Sequence, residues 1–274
     1  MPELEWNNAV WGGSYDWATS GEEWSATWGG SEAQWFGSLY PRLHRVLPAK
    51  RVLEIAPGFG RWTKFLVSAC ESYVGIDLSD KCVEACQLTF AAANHARFVK
   101  NDGLSLKEAD GSFDFVFSFD SLVHGELDVF THYIPQIIAR LTPNGAAFIH
   151  HSNLRAIPDH ASNPHCRATS VDAAQIAALI VDHGGCVLIQ EVVNWGGPML
   201  SDCLTMFGRA DSSTDQMAPI VIANPRFMDE AELIRASQSD YSRIRTDATA
   251  SRISAQVRPA QGLFARLQTA WRRG

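Results

Sequence analysis

Between positions 49 and 210 the chain alternates short apolar runs with amphipathic stretches. Positions 51–56, 72–77, 96–100, 113–119 and 145–150 read as strands. The run 113–119 is apolar at nearly every position, as a strand covered on both faces requires. Positions 61–71, 80–93, 126–141 and 170–183 read as helices between them. Ser79 can cap the helix at 80–93, and Gly184-Gly185 stop the last. Two more strands follow over 186–194 and 203–209. Strict β/α alternation predicts the α/β class, as a doubly wound, seven-stranded, mostly parallel sheet.

The flanks differ. Six of the nine tryptophans lie before position 36: Trp6, Trp11, Trp17, Trp24, Trp28 and Trp35. Gly12-Gly13 and Gly29-Gly30 interrupt that segment, which keeps no helical or strand period. Residues 1–48 therefore form an aromatic N-terminal arm, helical over 31–47, with the character of a lid. Residues 49–210 are the main domain. Residues 211–274 turn polar and carry two helical stretches, one at 228–239 and one marked by Leu263, Phe264, Leu267 and Trp271 beside Arg266, Arg272 and Arg273.

The first strand runs into Gly58-Phe59-Gly60 and then directly into a helix. Such a turn lets a ligand approach the backbone at the carboxyl edge of the sheet. Asp77 ends the second strand, 19 residues after Gly58, where a carboxylate can accept both ribose hydroxyls. The third strand ends in Asn101-Asp102-Gly103, and an acid at that edge can accept a hydrogen bond from an adenine amino group. The three features together describe an adenosine pocket. A nicotinamide fingerprint would place a third glycine where Thr63 stands, and no Gly-Lys-Ser/Thr is present for a P-loop.

The segment Glu54-Ile55-Ala56-Pro57-Gly58-Phe59-Gly60 resembles the glycine motif of class I S-adenosylmethionine-dependent methyltransferases. That resemblance spans about residues 50–209. It implies a Rossmann-like methyltransferase fold whose closing strand at 203–209 inserts antiparallel between strands five and six. It implies S-adenosyl-L-methionine as cofactor, held by Glu54, Gly58, Gly60, Asp77, Leu78, Asp102, Gly103 and Phe119.

Methyl transfer needs an acceptor atom aligned in line and a group that removes its proton. The fourth strand ends in Phe119-Asp120-Ser121-Leu122-Val123-His124-Gly125-Glu126, and the fifth in His150-His151-Ser152-Asn153. His151 or His124 would be the base, with Asp120 orienting the acceptor. Trp17, Trp28, His150 and Asn153 would line the acceptor side. The loop 155–169, with His160 and His165, would add to it. Asp120, His150 and Glu126 are candidate ligands for a divalent ion such as Mg2+. The Asn/Asp-Pro-Pro-aromatic pattern of amino-methylating families is missing after strand four. The two histidine-bearing edges and the tryptophan arm resemble bacterial methyltransferases that act on hydroxyls of sugars or glycan chains. A small natural-product or phenolic hydroxyl is the alternative acceptor.

A net charge of −7 offers no positive field for a nucleic acid backbone. No run of about 18 apolar residues is long enough to span a membrane, and the six cysteines form no CxxC pair. The composition predicts a cytoplasmic protein, and the resemblance implies a small-molecule or glycan acceptor and leaves homo-oligomer formation open.

Overall fold

The computed structural model describes residues 4–107, 109–158, 163, 165–211 and 218–238. The contacts divide the chain into a unit spanning residues 1–236 and a second from 237, of which two residues are described. The apolar stripe at Leu263–Trp271 and His160 of the predicted acceptor loop lie outside the described residues.

The central sheet has eight strands: β1 (Ala49–Ile55), β2 (Cys70–Asp77), β3 (Ala96–Lys100), β4 (Phe113–Ser118), β5 (Leu141–Ser152), β6 (Gly185–Val193), β7 (Asp202–Arg209) and β8 (Ile220–Asn224). Their order is β3-β2-β1-β4-β5-β7-β6-β8. Strands β1 to β5 pair in parallel, β7 runs antiparallel to both β5 and β6, and β8 pairs parallel with β6. The doubly wound architecture and the inserted antiparallel strand match the sequence expectation. The count of seven strands is corrected to eight. The segment Ile220–Asn224 is five residues long in a polar region, too short to show a period against its surroundings.

Helices α1 (Leu4–Ala9), α2 (Ser31–Gln34) and α3 (Tyr40–Leu43) belong to the N-terminal arm. They continue through π-helical turns at Val10–Ser14 and Trp35–Leu39, and a 3-10 helix spans Glu22–Trp28. Mixed turn types explain why the arm shows no single period. Helices α4 (Thr63–Ser68), α5 (Asp80–Thr89), α6 (Leu127–Arg140), α7 (Ala173–Asp182) and α8 (Asp229–Gln238) follow. Ser79 caps α5 by accepting from the Cys82 amide, as expected. Asp172 and Gln175 form a capping box at α7.

Strand alternation divides the core into two layers. Phe115, Phe117 and Phe148 point to the face covered by Trp28, Trp35, Trp62 and Phe227. Phe113, Val116 and Ile149 point to the face covered by α6 and α7. Phe115 and Phe117 are fully buried; each such side chain contributes about 1.5–3 kcal/mol. The same alternation sends His150 and His151 to opposite faces, which decides their roles below. The strand order reverses between β1 and β4, where doubly wound sheets open a crevice at their carboxyl edge.

Candidate active site

A cavity of about 150 Å³ opens at that reversal point. Its floor is the glycine turn after β1. Gly58 has φ of +58°, in the left-handed region that favours glycine. Its amide donates to Asp77 Oδ2 at 3.0 Å, and the Ser79 amide donates to Oδ1 at 2.9 Å. Burial pushes the Asp77 carboxyl up to about 6, against the pull of these backbone donors. Gly58, Asp77, Leu78, Gly103 and Phe119 all line the cavity.

The other predicted cofactor residues sit elsewhere. A side-chain carbon at Gly60 would meet the Phe90 ring at 2.5 Å, so that glycine permits packing of the turn onto α5. Asp102 is half-exposed and turned away: its carboxylate accepts from the Leu104 and Ser105 amides at 3.0 and 2.7 Å. Its neighbour Asn101 faces the cavity instead. The Asn101 amide hydrogens go to Tyr133 Oη at 2.8 Å and the Ser105 carbonyl at 3.2 Å, which leaves Oδ1 as its acceptor atom.

Glu54 is buried beneath the turn, outside the cavity lining, and accepts from Thr63 Oγ1 at 2.7 Å and Tyr73 Oη at 2.5 Å. Burial pushes its carboxyl from 4.5 up to about 7. A carboxyl raised on folding loses stability as pH climbs from its unfolded value through its folded one. Glu54→Gln should therefore gain on the wild type by on the order of 3 kcal/mol between pH 4.5 and 8. Urea denaturation across that range checks this, and a difference that stays constant with pH would refute it.

The end of the cavity beyond β4 is lined by Asp120, Ser121, His124, Arg61 and Arg167. Asp120 has φ of +61° and bonds Arg61 Nη2 at 2.9 Å, with Arg167 Nη2 at 3.6 Å. Burial opposes ionisation of Asp120, but Arg61 and then Arg167 outweigh it and hold the carboxyl below its ordinary range. The His124 ring donates from Nδ1 to the Cys166 carbonyl at 2.9 Å, because a carbonyl can only accept. Neutral His124 thus carries its lone pair on Nε2. Burial, and then the Arg167 charge, lower its pKa to about 4, so it is neutral at physiological pH.

His151 does not join this cluster. It points into the opposite layer against Phe130, fully buried, with Nδ1 on the Ser152 carbonyl and Nε2 on Thr205 Oγ1, both at 2.8 Å. Asn153 ties the Leu200 carbonyl to the Ala173 amide. Trp28 is buried against Phe227. None of the three lines the cavity. The three candidate metal ligands hold other partners: Asp120 the two arginines, His150 the Asp202 carboxylate at 2.9 Å, and Glu126 the Thr169 and Ser170 amides. Among the described residues no cluster of three or more His, Cys, Asp or Glu is placed to hold a metal.

The arm covers the cavity. Trp17 stacks on Phe59 at 4.6 Å between ring centres and lies over Gly58. Leu4 lies over Gly103. Trp11 packs on the His124 ring at 5.0 Å, and Asn7 donates to the His124 carbonyl at 3.0 Å. Sequence reading did not single out Arg61, Arg167, Asn101 or Asp202. Arg61 and Asn101 directly adjoin motif residues, and Arg167 lies in the predicted acceptor loop. Asp202 opens β7, and an antiparallel strand starts at the edge where its parallel neighbours end.

Residues 52–145 match the methyltransferase domain family model. The matched stretch holds the glycine turn, Asp77, Asp120 and His124. Three solved structures share the fold. One is an S-adenosylmethionine-dependent methyltransferase from Clostridium acetobutylicum ATCC 824, with 12% identity, TM-score 0.51, and coverage of 66% of this chain and 90% of its own. The CcbJ methyltransferase from Streptomyces caelestis has 14% identity and TM-score 0.50, covering 64% and 94%. DhpI in its SAH complex has 17% identity and TM-score 0.52, covering 76% and 95%. No curated protein matches the chain significantly. The family match spans about a third of the chain, and the three structures, at 12–17% identity, share its fold.

Proposed function

We propose that the protein is an O-methyltransferase that uses S-adenosyl-L-methionine to methylate a hydroxyl of a sugar or oligosaccharide. The observation that carries this reading is His124, a neutral imidazole in the cavity wall with its tautomer fixed by the Cys166 carbonyl. The residues present fit the cofactor: a glycine turn open to close approach, a buried carboxylate at the end of β2, and the Asn101 amide oxygen at the end of β3. Gly58, Asp77, Leu78 and Asn101 would hold it, and when bound it supplies an electrophilic methyl group. His124 Nε2 would take the proton of the acceptor hydroxyl, which that methyl group replaces. Asp120, aligned by Arg61, orients the acceptor. The rings of Trp11 and Trp24 offer apolar faces on which a sugar can stack. Residues 4–28 act as the lid.

A methyl-transfer screen over sugars and glycan fragments with labelled cofactor tests the reading; transfer only to amines would sink the O-methyl assignment. His124→Gln should lower turnover by roughly 10²- to 10⁴-fold and leave S-adenosylhomocysteine affinity near the wild-type value. His151→Gln should leave turnover unchanged, because its side chain does not reach the cavity. Steady-state kinetics and calorimetry on both variants check the contrast, and equal losses would remove His124 from the role of base.

A further inference from the structure

We propose that His150 and Asp202 are positioning residues for Asp120, acting through the choice of imidazole tautomer; their place in catalysis rests on the methyltransferase reading above. Both are fully buried, and neither lines the cavity. Asp202 Oδ2 accepts from Arg167 Nη2 at 2.9 Å and lies 2.9 Å from His150 Nε2. A carboxylate held by a guanidinium has no proton to give, so His150 Nε2 is the donor. A neutral ring protonated on Nε2 carries its lone pair on Nδ1. That lone pair accepts the Asp120 backbone N–H at 3.2 Å. With the proton on Nδ1 instead, two N–H groups would face each other there.

The bond matters because of where it acts. Asp120 has φ of +61°, a left-handed conformation that residues other than glycine adopt less readily. Strain of this kind persists only where its surroundings hold it. The His150 lone pair holds the backbone, and Arg61 and Arg167 hold the carboxylate. Asp202 governs two of these three holds, since it fixes the His150 tautomer and is clasped by Arg167. Phe119 and Trp195 pack on the ring at 4.6 and 5.0 Å between centres and fix its plane. Turned out of the line of β4, the Asp120 carboxylate meets Arg61 of the glycine turn, so one wall of the cavity joins the ends of β1 and β4.

The test reads the tautomer directly. In protein labelled with [15N]histidine, the His150 ring resonances are identified by their loss in His150→Asn. Two-bond proton–nitrogen correlations should show the Nε2–H tautomer in the wild type. In Asp202→Asn, Arg167 claims the single amide oxygen and the amide NH2 turns to His150, so the ring should move to the Nδ1–H form. An Nδ1–H ring in the wild type, or an unchanged ring in Asp202→Asn, would overturn the proposal.

Two further variants leave the Asp202–Arg167 pair in place and serve if Asp202→Asn does not fold. His150→Asn puts an amide oxygen near the Nδ1 position and should keep Asp120 at positive φ in a crystal structure. His150→Phe keeps a ring but no acceptor, and Asp120 should relax to negative φ; an unmoved Asp120 would also overturn the proposal. A wild type that does not bind S-adenosylhomocysteine would defeat the methyltransferase reading, and the tautomer data would stand apart from it.

Discussion

Asp77→Asn is expected to weaken S-adenosylhomocysteine binding by about 10- to 100-fold, the value of one or two hydrogen bonds to a charged group. The carboxylate has a double task. It faces the cavity, and it also accepts the Gly58 and Ser79 amides that shape the turn. An asparagine offers one oxygen and presents an NH2 group to one of those amides. Folding stability should therefore fall as well, by about 1–3 kcal/mol for the unsatisfied buried donor. The pH dependence has a definite sign. Burial raises the Asp77 carboxyl to about 6, so below that pH the group is neutral and a weaker acceptor. Wild-type affinity should decline as pH falls through 6, and Asp77→Asn should lack that decline. Calorimetry at pH 5 and 8 decides, and equal affinity of the two proteins at pH 8 would remove Asp77 from the cofactor site.

Asp202→Ala is expected to cost about 3–5 kcal/mol of folding stability, the range for removing one partner of a buried ion pair. The side chain is fully buried, and its loss leaves the buried Arg167 guanidinium and the His150 Nε2–H without their acceptor. Burial opposes ionisation of Asp202, but Arg167 and then His150 overcome it and hold the carboxyl well below its ordinary range. A carboxyl lowered on folding adds stability above its unfolded pKa and loses it as pH falls further. The gap between wild type and Asp202→Ala should therefore be full at pH 6 and narrow below about pH 4. Urea denaturation at pH 6 and pH 3.5 measures both, and a gap under about 1 kcal/mol at pH 6 would mean that Arg167 finds another partner.

Most of the sheet was legible because burial on both faces leaves short apolar runs, as in Phe115–Phe117 within β4. The glycine turn and Asp77 were legible because backbone conformation and charge at a strand end restrict the residue types. The acceptor end was harder. Two adjacent histidines look alike in sequence, yet His150 and His151 lie on opposite faces of β5, and the histidine facing the cavity is His124. Asp102 stands out in sequence because it is charged, but its charge caps its own loop, and Asn101 lines the cavity. Asp202 and Arg167 were invisible as partners because 35 residues separate them. Their meeting depends on the reversed direction of β7.

Strand β8 has a consequence for how the molecule behaves in company. Among the described residues it pairs on one side only, with β6, and Ile220, Val221 and Ile222 are all exposed. An unpaired aliphatic edge is a template for another strand, and proteins commonly guard such edges with lysine, a bulge or proline. Here the guards are prolines. Pro219 and Pro225 flank the strand and confine the pairable backbone to the five residues between them. Chain crowding at this edge is thus limited by the shortness of the strand, and a change that removed either proline would lengthen the sticky margin of the sheet.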